Sequence, residues 1–600
     1  EKTDWNKFKQ EKKDLKLKRK QTRDTYEVTV EVKKIYEQLK CHGTKNKDAL
    51  VQQMYTLLNA DADNISKVAK AHDTARILQC MIKFGSPALR TELSDKLMPD
   101  AVAMCQSKYS HFCIQAMLKY CNSATKSKLA DALMGNIVRL SGHNIASKLI
   151  DDIYQAASKQ QRCHMRQEFY GELYKKTKDT NVTTLTDTFK DASNMKASIM
   201  GAVKSNIDHL ANKKLMDNQL LHTVIVEYLK ASDNLAETAV TLAASIPQML
   251  STKEGTEAAT LCFYASEPKT RRAILKNIKE HLLKIAVHEF GHVFLISLFN
   301  VLDDTKAAKK SVYDPLHGDL KTLVASPHGR RVIQWLIAPG DTVCFHPSFI
   351  KFIDGGLVHS KKDKDVRRKE LLEQVEGPIA QAMEDNAAFW LSNSIIGLVT
   401  ITILKHIQGE HYNKAAAALA PVVAAADWRI SPMPAESEQQ SQSKDTESII
   451  AAATEQRKKN KKKVAIVEPE AASDEEDADE PKQVKKQKLD TKKPADAAVQ
   501  ELGIENSGMH HVLKAIIKHD QKCEGTPFAA KLIESLTPEV LTGWLVINRA
   551  CYVLVTLVEN TPDLQKQLLQ FFKTSSLRDL LLQQKSSGAA LLAKKLQLGG

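Results

Sequence analysis

The sequence predicts an all-α protein, an α-solenoid of about eleven stacked helical repeats interrupted by one charged linker. Three observations lead there. Apolar residues recur at helical spacing from about residue 25 to about residue 430, as in Ile145, Leu149 and Ile153 along one face. Glycine and proline number 23 and 18 in 600 residues, too few for the turns of a sandwich or barrel. A short submotif also returns at a near-constant interval, which unrelated helices do not produce.

The submotif is a small residue followed by two variable residues, two apolar residues and often Gln or Glu. It occurs at Thr74 (HDTARILQ), Ser110 (KYSHFCIQ), Ala146 (HNIASKLID), His222 (LLHTVIVE), Gly255 (KEGTEAAT), Gly291 (EFGHVFLI) and Gly329 (PHGRRVIQ). Positions 74, 110 and 146 are 36 apart, as are 255 and 291, while 291 and 329 are 38 apart. The gap of 76 from 146 to 222 is one repeat plus an insertion (76 − 36 = 40), with the polar stretch Lys175 to Asp191 as the expected extra loop. Further instances stand at Gly397 (SIIGLVTI), Gly508 (NSGMHHVLK), Ala550 (NRACYVLV) and Ser587/Gly588 (SSGAALLA).

In chain order, residues 1–24 read as a basic tail or exposed helix, whose cluster Lys16, Lys18, Arg19 and Lys20 can touch phosphates. Residues 25–430 hold repeats 1 to 8. Residues 431–497 are rich in Ser, Gln, Glu, Lys and Ala with almost no large apolar side chains, and are expected to be a disordered charged linker. Residues 498–600 hold repeats 9 to 11. The linker carries the basic run Arg457, Lys458, Lys459, Lys461, Lys462 and Lys463, a second basic run from Lys482 to Lys488, and between them Ser473 followed by acids. Such runs are commonly solvated spacer; two of them in one exposed segment suit a nuclear localisation signal.

Lys and Arg exceed Asp and Glu by 86 to 72, giving +14, a surplus that attracts polyanions. Ten cysteines are scattered with no CxxC pair and no zinc-finger spacing, the pattern of reduced intracellular thiols. The longest uncharged apolar run, Ala415 to Ala426, is too short to span a bilayer and contains Pro421, and the N-terminus lacks an apolar signal core. No membrane is expected.

Each repeat resembles a repeat of the Pumilio (PUF) family, most closely at Pro327-His328-Gly329-Arg330-Arg331-Val332-Ile333-Gln334. That resemblance implies three helices per repeat, the middle one lining an inner surface and addressing one base with three side chains. Those are the residues one, two and five places after the small one. The first and third are four apart and share a helix face, so they can pinch a base edge, and a planar second residue offers stacking of about 1–3 kcal/mol per base. The trios are Ala75/Arg76/Gln79, His111/Phe112/Gln115, Ser147/Lys148/Asp151, Thr223/Val224/Glu227, Thr256/Glu257/Thr260, His292/Val293/Ile296 and Arg330/Arg331/Gln334. None keeps the family's edge-reading pairs, and only Arg76, Phe112 and Arg331 are good stacking platforms. The alternative is that these are ordinary surface residues of a HEAT-like solenoid.

Degenerate readers, a basic start and a charged insertion before three final repeats are similar to the Puf-A branch of the family, that of Pumilio homologue 3 or penguin type. The resemblance covers nearly the whole chain. It implies an L-shaped superhelix, nucleolar location, and binding of RNA or DNA with little sequence preference in large-subunit ribosome assembly and translational control. Expected partners are RNA, above all pre-rRNA and also mRNA, then DNA and pre-ribosomal particle proteins. Competing readings are a sequence-selective repressor of mRNA 3′ untranslated regions and a protein-binding solenoid.

His288-Glu289-Phe290-Gly291-His292 fits H-E-x-x-H, in which two histidines a turn apart hold zinc and the Glu is general base. Here Gly291 is the repeat's own small residue, the same slots hold Ser326 to Arg330 one repeat later, and no third ligand follows closely. Repeat grammar accounts for the string. No phosphate-loop lysine, nucleophile elbow or Cys/His catalytic signature occurs. No enzymatic activity, cofactor, metal or small-molecule substrate is expected.

Overall fold

The computed structural model describes residues 2–21, 25–41, 43–61, 64–190, 193–430, 501–573 and 575–598. They are almost entirely helical and form two compact units, Glu1–Leu371 and Leu372–Gly600. Eleven helices correspond to the submotifs. Seven lie in the first unit: α1 (His72–Phe84), α2 (His111–Tyr120), α3 (Ala146–Ala156), α4 (Gln219–Ala231), α5 (Lys253–Ala265), α6 (Gly291–Val301) and α7 (Pro327–Ile337). Four lie in the second: α8 (Ser394–Leu404), α9 (Ser507–Asp520), α10 (Asn548–Asn560) and α11 (Ser587–Lys595). Within each unit every one of these packs on the next, forming a continuous inner row.

The small residue has one physical cause in the first unit. Its backbone lies against the carbonyl six residues earlier, at the end of the repeat's first helix. A Cβ at Gly255 would sit 2.0 Å from the Met249 oxygen, at Gly291 2.6 Å from that of Ile285, and at Gly329 2.5 Å from that of Leu323. At two of the other repeats the side chain there donates to that same carbonyl, Thr74 Oγ1 to Val68 O at 2.6 Å and His222 Nε2 to Met216 O at 2.6 Å, while Ala146 places only a methyl there and the Ser110 hydroxyl has no hydrogen-bond partner.

A second constraint sits three residues before the small one. Its amide N–H donates to a side chain there: Ser110 to Ser107, Ala146 to His143, Gly255 to Thr252, Gly291 to His288 and Gly329 to Ser326, at 2.9–3.4 Å. Thr252 and Ser326 are the N-caps of their inner helices, and Ser107, His143 and His288 satisfy an otherwise orphaned donor in the turn that leads into theirs. The third helix is capped in the same rhythm, by Ser86, Asn122 and Ser158, again 36 apart.

Arginines on the third helices join neighbouring repeats. Arg90 donates to Lys83 O at the end of α1 (2.9 Å) and to Tyr120 O at the end of α2 (3.0 Å). Arg271, likewise sixteen residues after its small residue, donates to Tyr264 O of α5 and Val301 O of α6, both at 3.0 Å. A cation shared by two helix C-termini satisfies exposed carbonyls and complements both dipoles. In repeat 6 a π turn, Lys309–Tyr313, ahead of Pro315 accompanies the lengthened 38-residue step.

The insertion after repeat 3 is not a bare loop. It carries the short helices Glu168–Tyr170, Glu172–Lys176 and Leu185–Phe189, and the buried Glu168 carboxylate accepts the Gly135 and Ile137 amides and pairs with Lys178 at 3.0 Å. The N-terminal segment is a helix, Lys2–Gln21, and the helices Tyr26–Lys40 and Lys47–Leu58 pack against α1 ahead of the first full repeat.

The division falls at Leu371/Leu372, so repeat 8 groups with repeats 9 to 11 and not with the seven before it. The reason is packing: α8 lies on α9, and Gly409–Ala424 lies on Pro527–Ser535. A two-residue antiparallel ladder, Arg429↔Leu502 and Ile430↔Glu501, closes this junction, and the Trp428 indole fills the space that a Cβ on Gly503 would need. The linker expected at 431–497, with Arg457, Lys458, Lys459, Lys461, Lys462 and Lys463, lies outside the described residues. Among the described residues no single helix is long and apolar enough to cross a membrane.

The register in the second unit differs by one residue from the small-residue positions read in the sequence. The caps Asn393, Asn506 and Ser586 accept from Ile396, Met509 and Ala589, and Cys551 Sγ reaches the Leu545 carbonyl six residues earlier. Gly508 and Gly588 serve a different approach, against Ser394 and the Asn548 carbonyl of the preceding inner helix.

Two glycines give opposite expectations. Gly255→Ala forces a Cβ onto Met249 O and should destabilise the protein by about 1–3 kcal/mol. Gly201→Ala, in the helix Lys196–Lys213 with nothing within 4 Å of the added methyl, should stabilise it by about 0.5–1 kcal/mol. Denaturant midpoints of the two variants test this; shifts of the same sign would contradict it.

Candidate nucleic-acid interface

With the inner helices fixed by those two constraints, each trio has a defined setting. In repeat 1, Arg76 is exposed and Gln79 half-buried, while Ala75 is buried. In repeat 2, Phe112 is 45 % exposed and His111 lies against it, ring centroids 3.8 Å apart, with Nδ1–H of His111 donating to Ser107 O at 2.9 Å. Gln115 is half-buried beside them. Lys148 of repeat 3 is exposed.

Repeats 3 to 6 treat their other slots as structure. Asp151 accepts the Gln219 amide at 2.7 Å and the Gln155 side chain at 3.0 Å. Burial, with Asp217 and Asp152 nearby, pushes its carboxyl up to about 6. Glu227 pairs with Arg166 at 3.0 Å and accepts from the Tyr170 hydroxyl at 2.5 Å, so the inserted segment consumes it. Val224, Thr256, Thr260, His292 and Ile296 are buried. These buried members of the trios are core, and the expectation that they line a reading face is corrected, while Thr223, Glu257 and Val293 beside them stay half-buried.

Repeat 7 opens again. Arg330, Arg331 and Gln334 are half-buried, and the Arg331 guanidinium lies 5.1 Å from the Phe349 ring centroid and 5.9 Å from that of Phe345. Burial lowers the pKa of both guanidiniums, which nevertheless stay charged. Among the described residues neither forms an ion pair, and Arg330 Nη1 is buried without a hydrogen-bond partner.

The H-E-x-x-H histidines are turned inward. His288 Nδ1 accepts the Phe290 and Gly291 amides at 3.2 and 3.3 Å, filling the cap slot that Ser107 and Ser326 fill elsewhere. His292 is 2 % exposed, donates through Nδ1 to His288 O at 3.1 Å, and stacks on His328 with centroids 5.0 Å apart. Among the described residues no group of three or more His, Cys, Asp or Glu is arranged to hold a metal.

Several neighbours of the trios escaped the sequence reading. Lys108 and Tyr109 directly precede Ser110; Lys108 is exposed above the Tyr109 ring at 5.7 Å, and His72 meets that ring edge-on at 4.6 Å. The aromatic wall Phe345/Phe349 under Arg331 belongs to no repeat slot. Lys18 is exposed on the N-terminal helix, which also carries Arg19 and Lys20.

These features define an α-solenoid of Pumilio-type repeats. A family model described as a NOP9-like PUF repeat domain matches residues 17–181, and one described as a CPL (NUC119) domain matches residues 325–471. Protein penguin of Drosophila melanogaster is 56 % identical, over 100 % of this chain and 85 % of its own length. Pumilio homolog 3 of Danio rerio is 26 % identical over 99 % of this chain and 85 % of its own. The chain belongs to the penguin-type, Puf-A branch of the Pumilio family. Its fold matches the crystal structure of human Puf-A, with a TM-score of 0.73 and 22 % identity, over 95 % of this chain and 100 % of that one. The structure of human Puf-A in complex with DNA matches with a TM-score of 0.72 and 21 % identity, over the same shares of the two chains.

The buried His292 imidazole gives a pH signature. Burial, aided by His328 and Arg331, lowers its pKa to about 4, so it is neutral when folded, whereas the unfolded chain titrates near 6.5. As pH falls, the unfolded state takes up the proton first. The residue's contribution is therefore intact above about 6.5 and is lost progressively toward 4. His292→Gln should flatten the fall of the urea midpoint between those limits relative to the unaltered protein; parallel pH profiles would contradict this.

Proposed function

We propose that the protein binds nucleic acid, chiefly RNA, along the inner faces of its repeats, holding backbone and shape with little base selectivity. One observation carries this reading: the state of the three reader slots. Where they are open they present Arg76, Phe112, Lys148, Arg330 and Arg331; where they hold acid or apolar groups, the side chain is tied into the fold or buried. Cations and flat rings attract phosphates and stack on any base, whereas specific reading needs paired donors and acceptors on one edge. The likeness to human Puf-A, one structure of which is in complex with DNA, supports the same class of ligand.

On this reading the protein acts in the nucleus and nucleolus, on pre-rRNA during large-subunit ribosome assembly alongside pre-ribosomal particle proteins, with mRNA and DNA as further ligands. Support comes from the family resemblance and from the basic run Arg457 to Lys463. No catalytic step is assigned to it.

A salt titration with unrelated single-stranded RNAs and DNAs should give steep, nearly equal falls in affinity, with a slope in log–log form of about −0.7 per phosphate contacted. Tight, salt-insensitive binding to one short motif would sink the proposal. Replacing both Arg330 and Arg331 by Glu should weaken binding to all sequences alike; sequence-selective loss would point to base reading. A tagged protein lacking residues 457–488 should leave the nucleus, and unchanged nuclear accumulation would remove the localisation role from that segment.

A further inference from the structure

The slot side chains of the first unit change sign along the chain. Repeats 1 to 3 present Arg76, Lys108 and Lys148, all exposed and, among the described residues, none ion-paired. Beyond them carboxylates gather on and beside the inner helices, and at the position of Arg76 and Lys148 repeat 5 carries Glu257. Asp151 closes repeat 3, Asp217 immediately precedes the Asn218 cap of α4, and Glu254 and Glu257 flank the small residue of α5. Within the trios themselves, cations return at Arg330 and Arg331 of repeat 7.

The acids are brought together by one residue. Gln219 gives its amide to Asp151 at 2.7 Å and its side-chain nitrogen to Glu254 at 3.3 Å, linking carboxylates two repeats apart. Asp217, two residues away, accepts from Ser251 at 3.3 Å and raises the Asp151 carboxyl. Of these four acids, Glu257 alone is ion-paired among the described residues, with Lys230 at 2.7 Å. Exposed Lys253 lies two residues before Gly255, and among the described residues Asp217 and Glu254 have no ion-pair partner. A strand laid continuously through this zone would bring phosphates within a Debye length, about 8 Å at physiological salt, of carboxylates with no counter-ion.

Building on the nucleic-acid reading above, we propose that the strand-binding surface of repeats 1 to 3 ends at this acidic zone. A strand held there spans about three nucleotides at one base per repeat, and the arginines of repeat 7 take a separate segment. The inner face then works as two short clamps with a repelling gap and not as a continuous track.

The test uses the full chain with the isosteric pair Asp217→Asn and Glu254→Gln, which keeps the hydrogen bonds to Ser251 and Gln219. Single-stranded oligouridylates of about four and about seven nucleotides are titrated at low salt. The double variant should bind the longer oligomer at least about threefold tighter and with a steeper salt dependence, while the shorter one is unchanged. Equal affinity of variant and unaltered protein for the longer oligomer overturns the boundary. A second variant, Arg76→Glu with Lys148→Glu, separates the two layers of argument. If it loses affinity for both oligomers while the acid variant gains nothing, only the boundary fails. If it loses none, the inner face of repeats 1 to 3 is not the binding surface and both readings fail. Unchanged helical content of each variant excludes misfolding as the cause.

Discussion

Everything in the first unit hangs on the close approach between the backbone of an inner helix and the carbonyl six residues before it. The approach sets the angle between the first and second helix of a repeat, because nothing larger than hydrogen fits between them at Gly255, Gly291 or Gly329. It also explains two apparent exceptions. Thr74 and His222 are tolerated because each carries a donor that satisfies the carbonyl it would otherwise crowd. A buried carbonyl left unpaired costs about 1–3 kcal/mol, so a large side chain at these two positions is offset by its well-aimed donor.

From that geometry the chemical character of the inner face follows. Fixing the helix start fixes which residues face inward, and the chain is then free to use them for binding or for packing. Repeats 1, 2 and 7 leave them accessible; repeats 3 to 6 spend Asp151, Glu227, His292 and Ile296 on cohesion. The insertion after repeat 3 is the cause for Glu227, since Arg166 and Tyr170, which hold it, are brought in by the elements around that insertion. Charge that would otherwise repel a polyanion is in this way partly neutralised inside the fold, and partly, at Asp217 and Glu254, left standing.

The repeat architecture was legible because its causes are local. A cap three residues before the small residue and a carbonyl six before it are fixed offsets, so they write themselves into the sequence as a period of 36. The same logic exposed H-E-x-x-H as a cap histidine in the Ser326 slot. What was not legible depends on partners distant in sequence. The pairing of Glu227 with Arg166 spans 61 positions (227 − 166), and the aromatic wall beneath Arg331 comes from Phe345 and Phe349, which follow no repeat rule. In the second unit, glycines at Gly508 and Gly588 answer to the neighbouring repeat, so reading them as the usual small residue displaced the register by one. The compositional break at 431–497 falls within the second unit, which by packing begins at Leu372, sixty residues earlier than the break (431 − 371).

The ladder Arg429↔Leu502 and Ile430↔Glu501 brings the two ends of the long charged insertion to one place. On either side of it, Gly409–Ala424 and Pro527–Ser535 are already packed together, and Tyr412 donates to the buried Asp520 at 2.8 Å. Covalent continuity between residues 431 and 500 is therefore not what holds the second unit together. Its two segments, on either side of the insertion, meet through packed helices, a shared ladder and a buried hydrogen bond, as two subunits of a dimer would.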